Sequence, residues 1–126
     1  RFGIIYGPRP NSLSAVESIF NSIKSKNEIQ VGSLRNGRRF VHVTDIAKGI
    51  TKAIGVEGFN IINLTSEKVI TLGDIIQKSQ KILNKSIKVI ETSPENINVR
   101  NPSNAKAKRI LGWSPEIDIE NGLKTL

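Results

Sequence analysis

Arg39-Phe40-Val41-His42-Val43, running without a break into Thr44-Asp45-Ile46-Ala47-Lys48-Gly49-Ile50, is the stretch on which the fold turns. Its first half is aromatic and β-branched, which predicts a strand over residues 39–43. The period then changes. Ile46, Ala47, Ile50, Ala53 and Ile54 fall at helical spacing, so a helix capped by Thr44 or Asp45 is expected, closing at Gly55. Upstream, a polar loop over residues 32–37 follows a short strand in which Ile29 and Val31 alternate with Gln30. Before that, Val16, Ile19, Phe20 and Ile23 predict a helix over residues 13–25, with Asn11 or Ser12 as its cap. The chain opens on Phe2, Ile4 and Ile5, a largely buried strand over residues 1–6 that stops at Gly7-Pro8.

Downstream, residues 59–63 form a β-rich run and are expected to be a third clear strand, with Val69 and Ile70 a further short extended piece. Thr71 caps the next helix, whose face is Leu72, Ile75, Ile76, Ile82 and Leu83, and residues 87–90 are β-branched enough for another strand. Ser103 is expected to cap a short helix ending near Leu111 and stopped by Gly112, with Trp113 folding back onto Ile110, Leu111 or the last segment. Ile117, Ile119, Leu123 and Leu126 give an amphipathic end. The order β, α, β, β, α, β, α, β predicts an α/β arrangement with helices on the faces of strands drawn from distant parts of the chain.

With 126 residues, 37% hydrophobic and 24% charged, the chain has room for one ordinary domain. It contains no cysteine, no methionine and one histidine, so thiolate chemistry is excluded and a usual zinc site is not expected. No apolar run approaches the length of a membrane span. No signal peptide is evident, and a cytoplasmic location is the expectation. The 19 Lys and Arg against 11 Asp and Glu give a net charge of +8, which favours an anionic partner.

Several constellations could carry chemistry. His42 and Asp45 lack a third group to complete a nucleophile's relay and read as packing and capping. The lysines at 78, 81 and 85, and Lys106, Lys108 and Arg109, have no interleaved aromatics for stacking bases and read as solvated faces, so nucleic acid is not the expected partner. Gly55-Val56-Glu57-Gly58 has GxxG spacing, but Glu57 would repel phosphates. Arg38 and Arg39 are more informative: guanidinium groups held at a strand edge can grip a diphosphate bidentately. Tyr6-Gly7-Pro8-Arg9-Pro10 places an aromatic, a tight turn and a cation at a strand end, where open α/β sheets bind ligands, and Arg9 is a candidate contact.

Four segments in order resemble the C-terminal part of the NAD-dependent epimerase/dehydratase family, the extended short-chain dehydrogenases acting on nucleotide sugars. They are Arg1-Phe2-Gly3-Ile4-Ile5-Tyr6-Gly7-Pro8-Arg9; Arg38-Arg39-Phe40-Val41-His42-Val43-Thr44-Asp45-Ile46-Ala47; Phe59-Asn60-Ile61-Ile62-Asn63 with the helix from Thr71; and Lys106-Ala107-Lys108-Arg109-Ile110-Leu111-Gly112-Trp113-Ser114-Pro115. The resemblance covers essentially the whole chain. It implies that residues 1–126 are late strands of a Rossmann-type sheet plus a small substrate-binding lobe, the NAD-binding domain lying outside this stretch. It further implies that Ile29, Gln30, Val31 and Gly32 lie beside the nucleotide base and that Arg38 contacts the diphosphate. The strand holding Gly3 and Ile5 would pass the nicotinamide.

The departures matter as well. Ile4 stands where the family often has an asparagine that helps hold the sugar nucleotide. Only Arg100 is placed to substitute for the family's second phosphate-binding arginine, and Leu34 replaces a common loop glycine. The glycine-rich dinucleotide fingerprint is missing, and so is the tyrosine–lysine pair that transfers protons, since Pro10 stands four residues after Tyr6. No catalytic residue is therefore assigned. NAD or NADP is expected in the whole protein but not on this stretch alone, which is expected to be inactive and to associate as a homo-oligomer through exposed sheet surface. The alternatives are a related reductase acting on a non-nucleotide substrate, or a basic nucleic-acid-binding module without catalysis.

Overall fold

A computed structural model describes residues 1–11 and 14–126. Parallel pairing of distant strands dominates, as the alternating sequence pattern requires. Strand β1 (Ile4–Tyr6) lies parallel to β4 (Phe40–His42), with Ile4 opposite Phe40 and Tyr6 opposite His42. Strand β2 (Glu28–Val31) lies parallel to β6 (Lys88–Glu91). The short β3 (Gly37–Arg38) runs antiparallel to β5 (Ile70–Thr71). The helices are α1 (Ala15–Ser25), α2 (Val43–Ala53), α3 (Leu72–Leu83), α4 (Ala105–Leu111) and α5 (Ile119–Leu123).

Alternation along β4 divides the interior. Phe40 enters a core with Tyr6, Phe20, Ile23, Ile29, Ile75 and Leu123, while its neighbour Val41 enters a second cluster with Ile46, Leu64, Ala107 and Trp113. Thr71 caps α3 as expected: its hydroxyl accepts the Asp74 N–H at 3.1 Å, and Asp74 accepts the Thr71 N–H at 2.8 Å. The cap position of α4 is Asn104 rather than the expected Ser103, whose hydroxyl still accepts the Ala105 N–H at 3.1 Å from one residue earlier. Gly112, at φ +57°, ends that helix. Of the expected caps of α1, Ser12 lies outside the described residues together with Leu13, and the cap position itself is Ser14.

Three expectations are corrected. Residues 59–63 form no strand, and Phe59 is 91% exposed. Pairing is confined to the end of that run, where Leu64 bridges Phe2 and the Arg1 amino terminus donates to the Ile62 carbonyl; β propensity was present, but only this end meets a partner. Helix α2 begins at Val43 with His42 as its cap, and it buries Asp45, Ile46 and Gly49, leaving Ala47, Ile50 and Ile54 exposed. The cause is Gly49. A Cβ there would stand 2.6 Å from Leu64 Cδ1 and 3.1 Å from Trp113 Nε1, so the glycine lets these side chains approach the helix closely. Trp113 packs on α2 in the cluster that Leu111 joins, as one of the expected alternatives has it, while Ile110 is 36% exposed.

The His42 cap has a pH signature. Its Nδ1 accepts the Thr44 N–H at 3.3 Å and its Nε2 lies 3.2 Å from the Thr125 hydroxyl, a pattern that suits the neutral ring. Burial lowers its pKa, and the Asp45 charge only partly offsets this. The unfolded chain therefore takes up a proton first as pH falls through about 6.5, and stability is lost from there down through the lower folded-state pKa. Urea midpoints should fall between about pH 7.5 and 5.5, above the range in which carboxylates titrate. His42→Asn, which can still cap but does not titrate, should flatten that decline; an unchanged slope would remove His42 as its cause.

Candidate functional site

β3 is short because Gly37 serves two partners. It pairs with Thr71 on one side and bridges Val99 on the other, its N–H donating to the Asn98 carbonyl at 3.1 Å and its C=O accepting from the Arg100 N–H at 3.0 Å. A Cβ at Gly37 would stand 2.6 Å from Val69 Cγ1, so this crossing leaves no space for a side chain. The crossing carries Arg100, more than sixty residues away in sequence, to Arg38. The two line a cleft of about 520 Å³ with Arg39, Phe2, Gly3, Ile4, Asn101 and Pro102.

The three guanidinium groups differ in what the protein asks of them. Arg39 is a strut: its Nε donates to Asn101 Oδ1 and its Nη1 to the Ser66 carbonyl. Arg38 is held at one corner, where Nη1 donates to the carbonyls of Gly37 at 2.7 Å and Asn98 at 2.6 Å, and its remaining nitrogens have no partner among the described residues. The Arg100 side chain has none. Among the described residues no carboxylate lines the cleft; Glu67 stands outside the lining, close enough to feel the charge of Arg39 but paired with Lys108. Such an arrangement suits an anion with several acceptor oxygens.

Of the residues singled out in the sequence, Arg38, Arg100 and Gly3 meet in this cleft. At Gly3 the backbone is closely approached: a Cβ would stand 2.4 Å from Thr65 Oγ1 and 2.6 Å from the Arg39 carbonyl oxygen. Ile29, Gln30, Val31 and Gly32 belong to β2 and its exit, away from the cleft lining, with Ile29 buried in the first core. Ile5 packs on the second cluster and lines a small cavity with Arg9. Arg9 is engaged by Glu17, with 2.8 Å between Nη2 and Oε1. Tyr6 is buried, its hydroxyl 3.3 Å from the Asp118 carbonyl and its ring edge-on to His42, and burial raises its pKa. At the Tyr6 turn the aromatic ring is thus packed, and the turn lines a small cavity with Arg9. Asn101 and Pro102 were missed; the one available signal was Pro102 itself, which restrains the chain just after Arg100.

Among the described residues no glycine-rich turn opens a helix, and the space beside Gly3 is taken by Thr65 and the Arg39 carbonyl.

No family model matches the chain. Individual proteins do. UDP-glucuronate 4-epimerase of Thermodesulfobacterium geofontis is 33% identical over 133 residues, covering 98% of this chain and 40% of the relative. A putative UDP-glucose 4-epimerase of Methanocaldococcus jannaschii is 29% identical over 129 residues, covering 98% of this chain and 42% of that protein. Among solved structures, the UDP-glucose 4-epimerase of Thermotoga maritima with UDP-glucose superposes with a TM-score of 0.88 at 20% identity, over 99% of this chain and 42% of that one. UDP-glucuronic acid 4-epimerase of Bacillus cereus in complex with UDP-glucuronic acid and NAD gives 0.84 at 22%, over 99% and 42%.

The fold is that of the C-terminal part of Rossmann-type epimerases. By sequence the chain is similar to UDP-sugar 4-epimerases and UDP-glucuronic acid decarboxylases. It spans about 40% of the length of the relatives that it matches end to end.

Proposed function

We propose that this chain is the nucleotide-sugar-binding part of an NAD-dependent UDP-sugar epimerase, decarboxylase or dehydratase, acting in the cytoplasm with an NAD-binding domain outside residues 1–126. The observation that carries the reading is the carboxylate-free cleft in which Arg38 and Arg100 converge. Its volume falls within the ~300–1,000 Å³ typical of ligand sites. In this reading Arg38, steadied at Nη1, offers its other nitrogens to a diphosphate, and Arg100 closes on the opposite side. Ile29, Gln30, Val31 and Gly32 face the base, and Gly3 and Ile5 border the nicotinamide. NAD, when bound in the whole protein, would supply the redox chemistry. The tyrosine–lysine proton relay would likewise come from outside this stretch, and the chain alone is expected to show no turnover.

Calorimetry with UDP, GDP and dTDP at fixed salt tests the site. A charge-assisted contact contributes about 1.5–3 kcal/mol, so Arg38→Ala should weaken binding by roughly ten- to a hundredfold. Arg38→Lys should recover only part, because an ammonium lacks the planar fork. Equal affinity before and after the change would remove Arg38 from the site. Duplex DNA is the control: binding that ignores the nucleotide and falls steeply with salt would favour the nucleic-acid reading instead.

A further inference from the structure

Arg100 reaches the cleft from a segment that no apolar packing holds. Residues 95–103 are exposed throughout, and even Ile97 and Val99 are 45% and 54% exposed. Exposed backbone of this kind opens at little cost unless polar contacts close it. A binding group in turn contributes fully only when its supporting residues hold it within about 0.5 Å of the productive position. What holds Arg100 therefore matters as much as its charge.

The contacts come from four consecutive residues. Asn36 Oδ1 accepts the Asn98 N–H at 2.7 Å, Gly37 bonds Asn98 through its N–H and Arg100 through its C=O, Arg38 Nη1 donates to the Asn98 carbonyl, and Arg39 Nε donates to Asn101 Oδ1. All but the last act on Arg100 or on the chain before it. Farther along, Asn63 Nδ2 donates to the Ser103 carbonyl at 3.0 Å, so among the described residues it is Arg39 that holds the position directly after Arg100. Arg39 is itself well founded. Its carbonyl accepts the Ile4 N–H at 3.1 Å, which fastens it to the start of β1, and its Nη1 donates to the Ser66 carbonyl at 2.8 Å, which fixes the guanidinium plane at a second end. A point charge would need neither contact; the planar fork spans Asn101 and Ser66 together, which an ammonium does not reproduce.

We propose that Arg39 is a positioning residue for Arg100: by bracing Asn101 against the Ser66 carbonyl it fixes the backbone from which Arg100 meets the phosphate oxygens of the ligand. The proposal rests on the functional reading above, which makes the cleft a diphosphate site.

The experiment is a double-mutant cycle on the full chain, read by calorimetry with UDP at fixed salt. Arg39→Lys keeps the charge and loses the two-ended brace. It should weaken binding by roughly three- to tenfold, and Asn101→Ala, at an exposed position, should do the same. In a background that already carries Arg100→Ala neither change should weaken binding further, because the side chain being positioned is gone. Amide exchange supplies a readout without ligand: the Arg100 N–H should exchange faster in Arg39→Lys than in the unmodified chain, while the Ile4 N–H, bonded to the Arg39 backbone, should not. A loss that persists in full in the Arg100→Ala background would mean that Arg39 contacts the ligand itself or supports the fold at large, and would overturn the proposal. So would an unchanged Arg100 amide, or UDP binding by the unmodified chain that either Arg39→Lys or Asn101→Ala leaves unaltered. No binding of UDP by the unmodified chain would overturn the functional reading first, and the positioning role with it.

Discussion

Trp113→Ala is expected to lower the free energy of unfolding by about 3–5 kcal/mol, the usual cost of emptying a fully buried aromatic site. The indole is 2% exposed and packs with Val41, Ile46, Leu64 and Ala107. Its Nε1 donates to the Asp45 carbonyl at 2.9 Å, and it sits against the bare Cα of Gly49. The neighbouring Glu116 and Ile117 amides donate to Asp45 Oδ2 at 3.0 and 2.9 Å, so one turn of α2 holds the whole reversal after α4. Collapse into the vacated space would have to move this clasp, which favours the upper part of the range. Trp113→Phe retains most of the volume and loses the hydrogen bond, and should cost less, about 1–2 kcal/mol. Far-UV circular dichroism in urea is the suitable probe, because Trp113 is the only tryptophan. An unshifted midpoint for the alanine variant would show that the ring anchors nothing.

The same clasp shows where reading the sequence stops. The period of Ile75 and Ile76, the capping threonine at 71 and the β-branched runs of β2 and β6 are local signals, and the structure follows them. The buried face of α2 gave one such signal, Ile46. Its central member is a glycine, which contributes space rather than hydrophobicity, so the pattern pointed to Ile50 and Ile54 on the exposed side. Arg38 was legible as a cation at a glycine-bounded strand edge. Its meeting with Arg100 was not, because it depends on residues 98–100 crossing Gly37, a long-range pairing that neither segment announces. Residues 59–63 had the composition of a strand but no neighbour to pair with along most of their length. Propensity on its own does not supply a partner.

Glu17→Ala is expected to be nearly as damaging as loss of the tryptophan, though Glu17 looks like an ordinary surface residue of an amphipathic helix. It is 2% exposed. Its Oε1 accepts the Gly7 N–H at 3.0 Å and Arg9 Nε at 2.9 Å, and its Oε2 accepts the Ser14 N–H at 3.0 Å. The carboxylate thus ties the turn after β1 to the start of α1. Removing it strands two backbone donors and a guanidinium, and breaking a buried pair from one side typically costs about 3–5 kcal/mol. The Arg9 side chain is 30% exposed and partly solvated, which places the expected loss near about 3 kcal/mol. Arg9→Ala should cost less, since the carboxylate keeps both amide donors, and the double variant should be no worse than Glu17→Ala alone. Nucleotide binding gives the second readout. Because Arg9 lies outside the Arg38 cleft, Arg9→Ala should leave UDP affinity unchanged; a loss comparable to that of Arg38→Ala would mean that Arg9 leaves Glu17 to hold the ligand, and that the turn after Tyr6 is part of the site.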